Sequence, residues 1–360
     1  MSVRIYYHDP VEVDSASSWT GLSAFGEQAE RVNIGTVTEK RIVDLFDYAR
    51  PDAIVTLDGH PVVALEQTRM NPSGHNIPQR FSFHLRAAEL GVPSILYYPE
   101  YSRRTFSDPN IRRFQPRVPL AQARLSAAYG VPVLSVFWPT DPHTLLPSGN
   151  VVSHQQLASV IDVLISNVGS QSLLQLPEVQ QALQDMDRAV RTVMGTYKNR
   201  QNASVRRFYP QGLPTAHLPN GQALDPPNKC VMWATQAYEA AVRARARHPV
   251  TALLPGRPHT LVFTGTANHS GNDSEHPWPG YLTLLDALYA RTTDGRTVRD
   301  RDHNLVYELP IPAHLYASRA NAKSPPTATY IVDNFADLIV LRDGLVMGRP
   351  QRSSAPASVL

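Results

Sequence analysis

The feature that most constrains the fold is a joint that occurs twice, in which a helix-like segment ends at glycine and Val-Pro leads into an apolar run. The first copy reads ELGVPSILYYPE, residues 89–100, and the second reads AAYGVPVLSVFWP, residues 127–139. Continuous apolar runs that follow helices are typical of strands buried on both faces of a parallel sheet. The two joints therefore predict an α/β fold with crossover helices.

A β-hairpin is predicted upstream of these joints, in the segment RPDAIVTLDGHPVVALEQTRMNP at residues 50–72. Asp-Gly between two apolar runs is a strong signal for a tight turn between antiparallel strands. Helical spacing predicts one helix over residues 36–51 and another over 77–91. Residues 36–140 are thus predicted to follow the order α-β-β-α-β-α-β.

Two carboxylates stand out because they lie in strands that are otherwise apolar. Alternation along the second strand of the hairpin places Glu66 on the face of Val62 and Ala64, where a lone carboxylate is costly to bury. Asp52 begins the paired strand and is expected beside Glu66 across the hairpin. Two converging carboxylates form an oxygen site suited to Mg²⁺, which can activate water and stabilise a phosphate under attack.

This pattern resembles the PD-(D/E)XK nuclease superfamily, which includes most type II restriction endonucleases. Its signature is Pro-Asp, a variable gap, then Asp or Glu, any residue and Lys; here Pro51-Asp52 is followed by thirteen residues and Glu66-Gln67-Thr68. The resemblance covers roughly residues 36–140 and implies a core of a helix, a three-stranded meander, a helix and a further strand. It further implies Asp52 and Glu66 as Mg²⁺ ligands and Mg²⁺-dependent hydrolysis of phosphodiester bonds in duplex DNA.

One position departs from the family signature, because Thr68 stands where the family has lysine. That lysine normally orients or polarises the attacking water and the phosphate, and threonine has a hydroxyl but no charge. The nearest candidates to supply the missing polar group are Arg69, Gln79 and Arg80, and the same segment could aim His84 at the site. The catalytic set expected from the sequence is therefore Asp52, Glu66, Thr68, Gln79 and Arg80.

Each acid also has an ordinary structural interpretation. Asp52 follows a proline and suits a turn or cap, and Glu66 suits a salt bridge with an arginine. Glu39 lies on the preceding helix, where the family often supplies an extra carboxylate, but a solvated helix face would also carry it. Asp58 fits the hairpin turn, and it becomes a substitute ligand if the strand register is shifted.

Arginine-rich loops are the second line of evidence for a nucleic-acid partner. Arginine and lysine interleaved with aromatic and small polar residues suit contacts to phosphates and groove edges, although a solvated surface has the same composition. No helix-turn-helix or zinc-finger pattern specifies a reading head. The candidate DNA-binding residues are Arg69, Arg103, Arg104, Arg112, Arg113, Lys198, Arg200, Arg206, Arg207, Arg299, Arg301, Arg319 and Lys323.

Length and composition bound the rest. The 360 residues carry a formal net charge of only +3 and one cysteine, Cys230, which excludes a disulfide framework within one chain. With neither a signal-peptide pattern nor an apolar stretch of membrane length, a cytoplasmic location is expected.

We expect a restriction-endonuclease-like core in residues 1–150, built on a mixed central sheet flanked by helices. Residues 151–360 are expected to form a large helical and loop-rich elaboration that binds DNA and mediates dimerisation, either as a separate region or packed on the core.

Three functions remain open at this level. The favoured one is a type II restriction endonuclease that acts on double-stranded DNA as a homodimer, with a DNA methyltransferase as a further partner in the same system. The second is a DNA-binding protein with an inactive nuclease fold, because of Thr68. The third is a non-nuclease α/β enzyme acting on a nucleotide or sugar, with its ligand at the strand ends near residues 99–101 and 138–141.

Overall fold

The structure is a computed structural model that divides the chain into two compact units, Met1–Tyr197 and Lys198–Leu360. The first unit extends past residue 150 because helices at Gln155–Ser166 and Pro177–Met194 pack their apolar faces on its sheet. The structure describes residues 2–8, 29–46, 49–68, 76–103, 111–114, 117–138, 141, 154–170, 172–194, 230–246, 254, 256–264, 303–309, 312–320 and 336–348.

The first unit is built on a six-stranded mixed sheet. Its strands are β1 (Val3–Tyr7), β2 (Glu30–Asn33), β3 (Ala53–Leu57), β4 (His60–Gln67), β5 (Ser94–Pro99) and β8 (Val133–Trp138), and the order across the sheet is β2-β1-β3-β4-β5-β8. Strands β1, β3 and β4 pair antiparallel, whereas β4, β5 and β8 pair parallel. A short ribbon, β6 (Tyr101–Arg103) with β7 (Ile111–Arg113), follows β5.

Helices cover both faces of this sheet. They are α1 (Lys40–Val43), α2 (Asn76–Glu89), α3 (Arg117–Tyr129), α4 (Gln155–Ser166) and α5 (Pro177–Met194). On one face Ile42 of α1 and Phe83 of α2 pack on Tyr6, Ile54 and Ala64. On the other face α4 and α5 pack on the apolar residues of β4, β5 and β8. The predicted α/β class is confirmed, and both predicted joints lead from a helix into a parallel strand.

Two predicted helices differ from the structure. The helix predicted over residues 36–51 is only one turn, Lys40–Val43, continued by a 3₁₀ turn at Asp44–Phe46. Its N-cap, Glu39, makes no capping side-chain bond, so one turn of helix has little local support. The sequence also predicts a helix over residues 230–248, but Cys230–Ala234 form a strand that pairs with a neighbouring strand, and the helix begins only after it.

A cluster of polar side chains is buried between the sheet and helices α2 and α3. The His84 ring forms hydrogen bonds with Ser94 of β5 and Gln122 of α3, and Gln122 in turn contacts Ser135 of β8, which bonds Tyr98. All five residues are buried. Burial alone lowers the pKa of His84 from 6.5 to about 3, so the ring is neutral at physiological pH.

We predict that His84 makes the folded state sensitive to acid. The imidazole takes up a proton near pH 6.5 in the unfolded chain but only near 3 when folded. The free energy of unfolding therefore falls by about 1.4 kcal/mol per pH unit between those two values. Urea unfolding followed from pH 7 to 4 should show this slope in the wild type and lose it in His84→Asn. The exposed His60→Asn variant should keep it, and identical slopes in all three proteins would contradict the assignment.

The second unit has its own mixed sheet. Its strands are β9 (Cys230–Ala234), β10 (His259–Thr264), β11 (His303–Glu308), β12 (Leu338–Val340) and β13 (Leu345–Met347), in the order β13-β12-β11-β10-β9. Strands β10, β11 and β12 are parallel, and the outer pairs are antiparallel. Helices α6 (Thr235–Ala246) and α7 (Ala313–Ala320) complete the described part. This region, expected to be helical and loop-rich, therefore contains a sheet as well. Within the described ranges, no helix is long and apolar enough to cross a bilayer.

An ion pair is buried where β11 and β12 begin. Asp337 is 0 % exposed; its carboxylate accepts the Leu305 backbone N–H at 2.8 Å and lies 3.3 Å from Arg257 Nη1. Beside it, Asn304 donates to the hydroxyls of Thr235 and Thr260. The N-terminal ends of β11 and β12 are therefore stabilised by paired polar groups as well as by apolar packing.

We predict that Asp337→Ala destabilises the second unit by about 3 kcal/mol or more, because it leaves a cation and a backbone N–H without their buried acceptor. The matched control is Asp343→Ala, since the exposed Asp343 also accepts a backbone N–H, that of Ala313. That change should cost about 1 kcal/mol. Urea unfolding with hydrogen exchange along β11 measures both values, and equal costs would show that the ion pair adds nothing.

Candidate active site

Pairing between β3 and β4 sets the position of the two acids singled out by the sequence. Ala53 pairs with Leu65 and Ile54 with Ala64, and one further step along the ladder brings Asp52 opposite Glu66. On the other side of β3, the Asp52 carbonyl accepts the His8 N–H at 3.1 Å, which continues the pairing of β3 with β1. By this continuation of the register, the two acidic residues occupy facing positions on neighbouring strands.

A β-bulge produces this register. Near the turn Leu57 pairs with His60 and Thr56 with Pro61, but the next pair is Val55 with Val63, so Val62 is the extra residue. Without the bulge Asp52 would pair with Leu65, and Glu66 would be out of step with it. A one-residue shift moves every following side chain to the other face of the strand. The bulge thus decides that Asp52 and Glu66 take facing positions in the register.

Both acids belong to the face that α1 and α2 cover. Ile54 and Ala64 contact the α1–α2 side, and since side chains alternate, Asp52 and Glu66 lie two residues further along the same face. Glu66 is only 2 % exposed and Asp52 is half-buried. The Asp52 carboxylate accepts the Gln67 backbone N–H at 2.7 Å, which fixes it to the end of β4.

Glu39 lies over the same face of the sheet, at the start of α1. Its carboxylate accepts the Tyr6 hydroxyl at 3.4 Å and the Thr38 backbone N–H at 3.2 Å. Tyr6 is the β1 partner of Ile54, so Glu39 is on the side of the two acids. In the part of the chain that the structure describes, however, no group of three His, Cys, Asp or Glu side chains is placed to hold a metal. Among the described residues, the candidate metal site is therefore the Asp52–Glu66 pair alone, with two carboxylates.

Asp58 lies in the turn at the opposite end of the hairpin. It adopts a positive φ of 48° and is exposed. Its N–H donates to the Ser2 carbonyl at 2.8 Å, and its carboxylate accepts the Ser2 N–H at 2.7 Å. The structure therefore gives Asp58 its hairpin role and does not bring it to Asp52 and Glu66.

Three candidate residues flank the connection between β4 and α2: Thr68 directly follows β4, and Gln79 and Arg80 lie in the first turns of α2. Thr68 follows β4, is half-buried, and donates its N–H to the Tyr97 carbonyl at 3.0 Å. Helix α2 connects parallel neighbours, so it runs back along them. Positions 79 and 80 precede the buried Phe83 and His84 by one turn, about 6 Å. Phe83 packs with Ala64, and the two strand residues from Ala64 to Glu66 cover a similar distance along β4. Positions 79 and 80 therefore lie level with Glu66 along the direction of the strand.

His84 does not supply the missing cation. It faces Ser94, the partner of Ala64, rather than the end of β4, and its lowered pKa keeps it neutral. Among the candidate DNA-binding residues, Arg113 donates to the Tyr101 hydroxyl at 2.6 Å and lies over its ring. Arg103, Arg112 and Arg319 lie in β6, β7 and α7, with their side chains outside the described part. The candidates outside the described residues are Arg69, Arg104, Lys198, Arg200, Arg206, Arg207, Arg299, Arg301 and Lys323.

The sequence did not predict an aromatic cluster at the same edge of the sheet, on the opposite face. Tyr97 stacks on Trp138 with ring centroids 4.8 Å apart, and its hydroxyl lies 2.8 Å from His154 Nδ1. All three are buried and their rings pack against one another. Nearby, burial raises the pKa of Glu100 against the opposing effect of Arg113. Tyr97 and Trp138 end apolar runs, but nothing in the sequence links them to His154.

Comparison of the chain with protein-family models, curated proteins and solved structures finds no match in any of the three.

We predict that Mg²⁺ stabilises the first unit through the acid pair. At a concentration ten times the dissociation constant, binding to the folded state adds about 1.4 kcal/mol, a rise of about 2–4 °C in Tm. Melting curves with and without 10 mM MgCl₂ should show this rise in the wild type and in Asp58→Asn, which keeps the pair. Glu66→Gln and Asp52→Asn should abolish it, and an unchanged rise in either variant would place the ion elsewhere.

Proposed function

We propose that the first unit is a Mg²⁺-dependent endonuclease that hydrolyses phosphodiester bonds of duplex DNA. The observation that carries the proposal is the β3–β4 register, which, continued one step past its last pair, Ala53 with Leu65, brings Asp52 opposite Glu66 on one face of the sheet. Two carboxylates at facing positions are unusual in an apolar hairpin, and Glu66 is also buried there. A functional demand accounts for both observations.

The order of strands supports a restriction-endonuclease-like core. Adjacent antiparallel strands β1, β3 and β4 correspond to the three-stranded meander, α2 to the second helix, and β5, parallel to β4, to the further strand. One difference is that residues 8–52, which include β2 and α1, separate the first two strands of this meander. The short helix α1 therefore follows β1 instead of preceding it.

The residues at the hairpin end fit a magnesium ion. Mg²⁺ prefers oxygen ligands and is commonly held by one or two carboxylates together with water and substrate phosphate. Asp52 and Glu66 would hold it, and when bound it would activate a water and neutralise charge on the scissile phosphate. Two carboxylates would be enough for the protein's share of the ligands, because phosphate oxygens of the bound nucleic acid would complete the coordination of the ion.

The remaining residues have supporting roles in this proposal. The Gln67 N–H orients the Asp52 carboxylate. Thr68, held by the Tyr97 carbonyl, offers a hydroxyl where the family has a lysine. Gln79 and Arg80, level with Glu66 on α2, are the candidates for orienting water and for countering the phosphate charge.

The same proposal includes its partners. Cutting both strands of a duplex requires two active sites, which favours a homodimer with two-fold symmetry. The arginine-rich segments would contact the phosphate backbone, which makes binding strongly salt-dependent. A site-specific enzyme of this type, a type II restriction endonuclease, would be accompanied by a DNA methyltransferase that protects the host genome.

We predict that purified protein cuts supercoiled plasmid in 10 mM MgCl₂ and is inactive in EDTA. Glu66→Ala and Asp52→Ala should lower the cleavage rate by about 10³-fold or more. Each change removes a proposed ligand of the Mg²⁺ ion, whose charge would stabilise the transition state. Gel assays of plasmid conversion measure the rates. Asp58→Asn is the matched control, since it changes an acid of the same hairpin at the far end from the pair.

The outcomes separate the alternatives. Equal cutting by the wild type and Glu66→Ala would reject the assignment. Salt-sensitive DNA binding without cleavage in Mg²⁺ or Mn²⁺ would instead identify a DNA-binding protein with an inactive nuclease fold. In that case Thr68→Lys, which restores the family residue, is the variant expected to gain cleavage.

A further inference from the structure

Five buried side chains form a continuous hydrogen-bonded chain behind the proposed site. Tyr98 Oη lies 3.1 Å from Ser135 Oγ, which lies 2.5 Å from Gln122 Oε1. The Gln122 amide nitrogen is 3.3 Å from His84 Nε2, and His84 Nδ1 is 2.9 Å from Ser94 Oγ. The chain crosses from β8 and β5 through α3 to α2, on the face of the sheet that carries Glu66.

The surroundings determine where the hydrogens lie. The Gln122 amide nitrogen is also 3.3 Å from the Leu134 carbonyl, which can only accept, so the NH₂ end of the amide faces both Leu134 and His84. His84 Nε2 must then accept. A neutral imidazole carries one hydrogen, which is therefore on Nδ1 and is donated to Ser94.

The other half of the chain follows the same direction. Gln122 Oε1 can only accept, so the single hydroxyl hydrogen of Ser135 is donated to it. Tyr98 must therefore donate to Ser135. Every bond runs one way, from Tyr98 through Ser135, Gln122 and His84 to Ser94. Burial, which raises the pKa of Tyr98 and lowers that of His84, keeps these two titratable groups in the neutral forms that this order requires.

We propose that this chain is a positioning network that fixes α2 on β5 and so holds positions 79 and 80 level with Glu66. Apolar contacts allow a helix to slide or turn slightly at small cost, whereas a buried directional network tolerates only one arrangement. His84 is the residue of α2 in the network, and Gln122 joins it to the sheet. The claim rests on the proposed nuclease function only for its effect on cleavage.

The first test needs no variant and no activity. Nitrogen-15 NMR of histidine-labelled wild-type protein at pH 7 should show His84 Nδ1 as a protonated nitrogen and Nε2 as an unprotonated one. The opposite tautomer, or a ring protonated on both nitrogens, would overturn the proposed hydrogen-bond order.

The second test separates positioning from general stability. Gln122→Met removes the polar contacts at similar length, and Ser135→Ala is a milder change at the next link. Ser126→Ala is the control, because Ser126 lies one turn further along α3, is equally buried, and bonds β8 only through the Val133 backbone. All are measured well below their Tm.

In the two network variants, amide exchange along α2 should rise by about tenfold, and the cleavage rate should fall by about tenfold or more with unchanged KM for DNA. Ser126→Ala should alter neither. Unchanged exchange along α2 in both network variants would overturn the proposal, as would cleavage as fast as in the wild type. If the wild type does not cleave at all, the nuclease function fails, and the exchange and tautomer results still decide the network.

Discussion

The high free-energy cost of taking polar groups out of water is the constraint on which both units depend. Each sheet is largely apolar, and the polar side chains inside it occur in matched sets. In the first unit His84 and Gln122 link two helices to the sheet, and in the second Asp337 meets Arg257 and a backbone N–H. Such sets allow one arrangement of the surrounding helices and strands where apolar packing would allow several.

The acid pair differs from these sets in its position. It lies at the end of the ladder, where Asp52 is half-buried and the strand leads out of the sheet at Thr68. The buried sets lie inside the core and bond to protein groups, whereas this end adjoins the connection between β4 and α2. The proposed site would exchange water and substrate, and the end of a strand suits that exchange better than the closed interior of the core.

Much of the architecture could be predicted from the sequence. The repeated Gly-Val-Pro joints predicted parallel strands β5 and β8, and Asp-Gly predicted the β3–β4 hairpin, since these signals are local. Strand β11 was missed because His303–Glu308 has no flanking turn signal of this kind, and the helix at residues 36–51 was overestimated because its apolar spacing has no supporting cap.

The candidate site was predictable only in part. Its two acids were recognisable because carboxylates are unusual in buried strands. Glu39, also considered from the sequence, lies on the same face of the sheet and bonds Tyr6. The hydrogen-bonded chain through His84 joins residues far apart along the chain, as does the contact between Tyr97 and His154. Such contacts follow from tertiary packing and leave no periodic pattern for sequence analysis to detect.

The bulge at Val62 also changes what motif spacing means in a hairpin of this kind. With a two-residue turn and no bulge, an even number of residues separates cross-strand partners; here thirteen separate Asp52 from Glu66, and the odd number records the extra residue. Counting intervening residues in aligned sequences therefore measures irregularities of the strand as much as loop length. Related chains whose gaps differ by one residue would need a compensating insertion or a different partner acid to present the same pair.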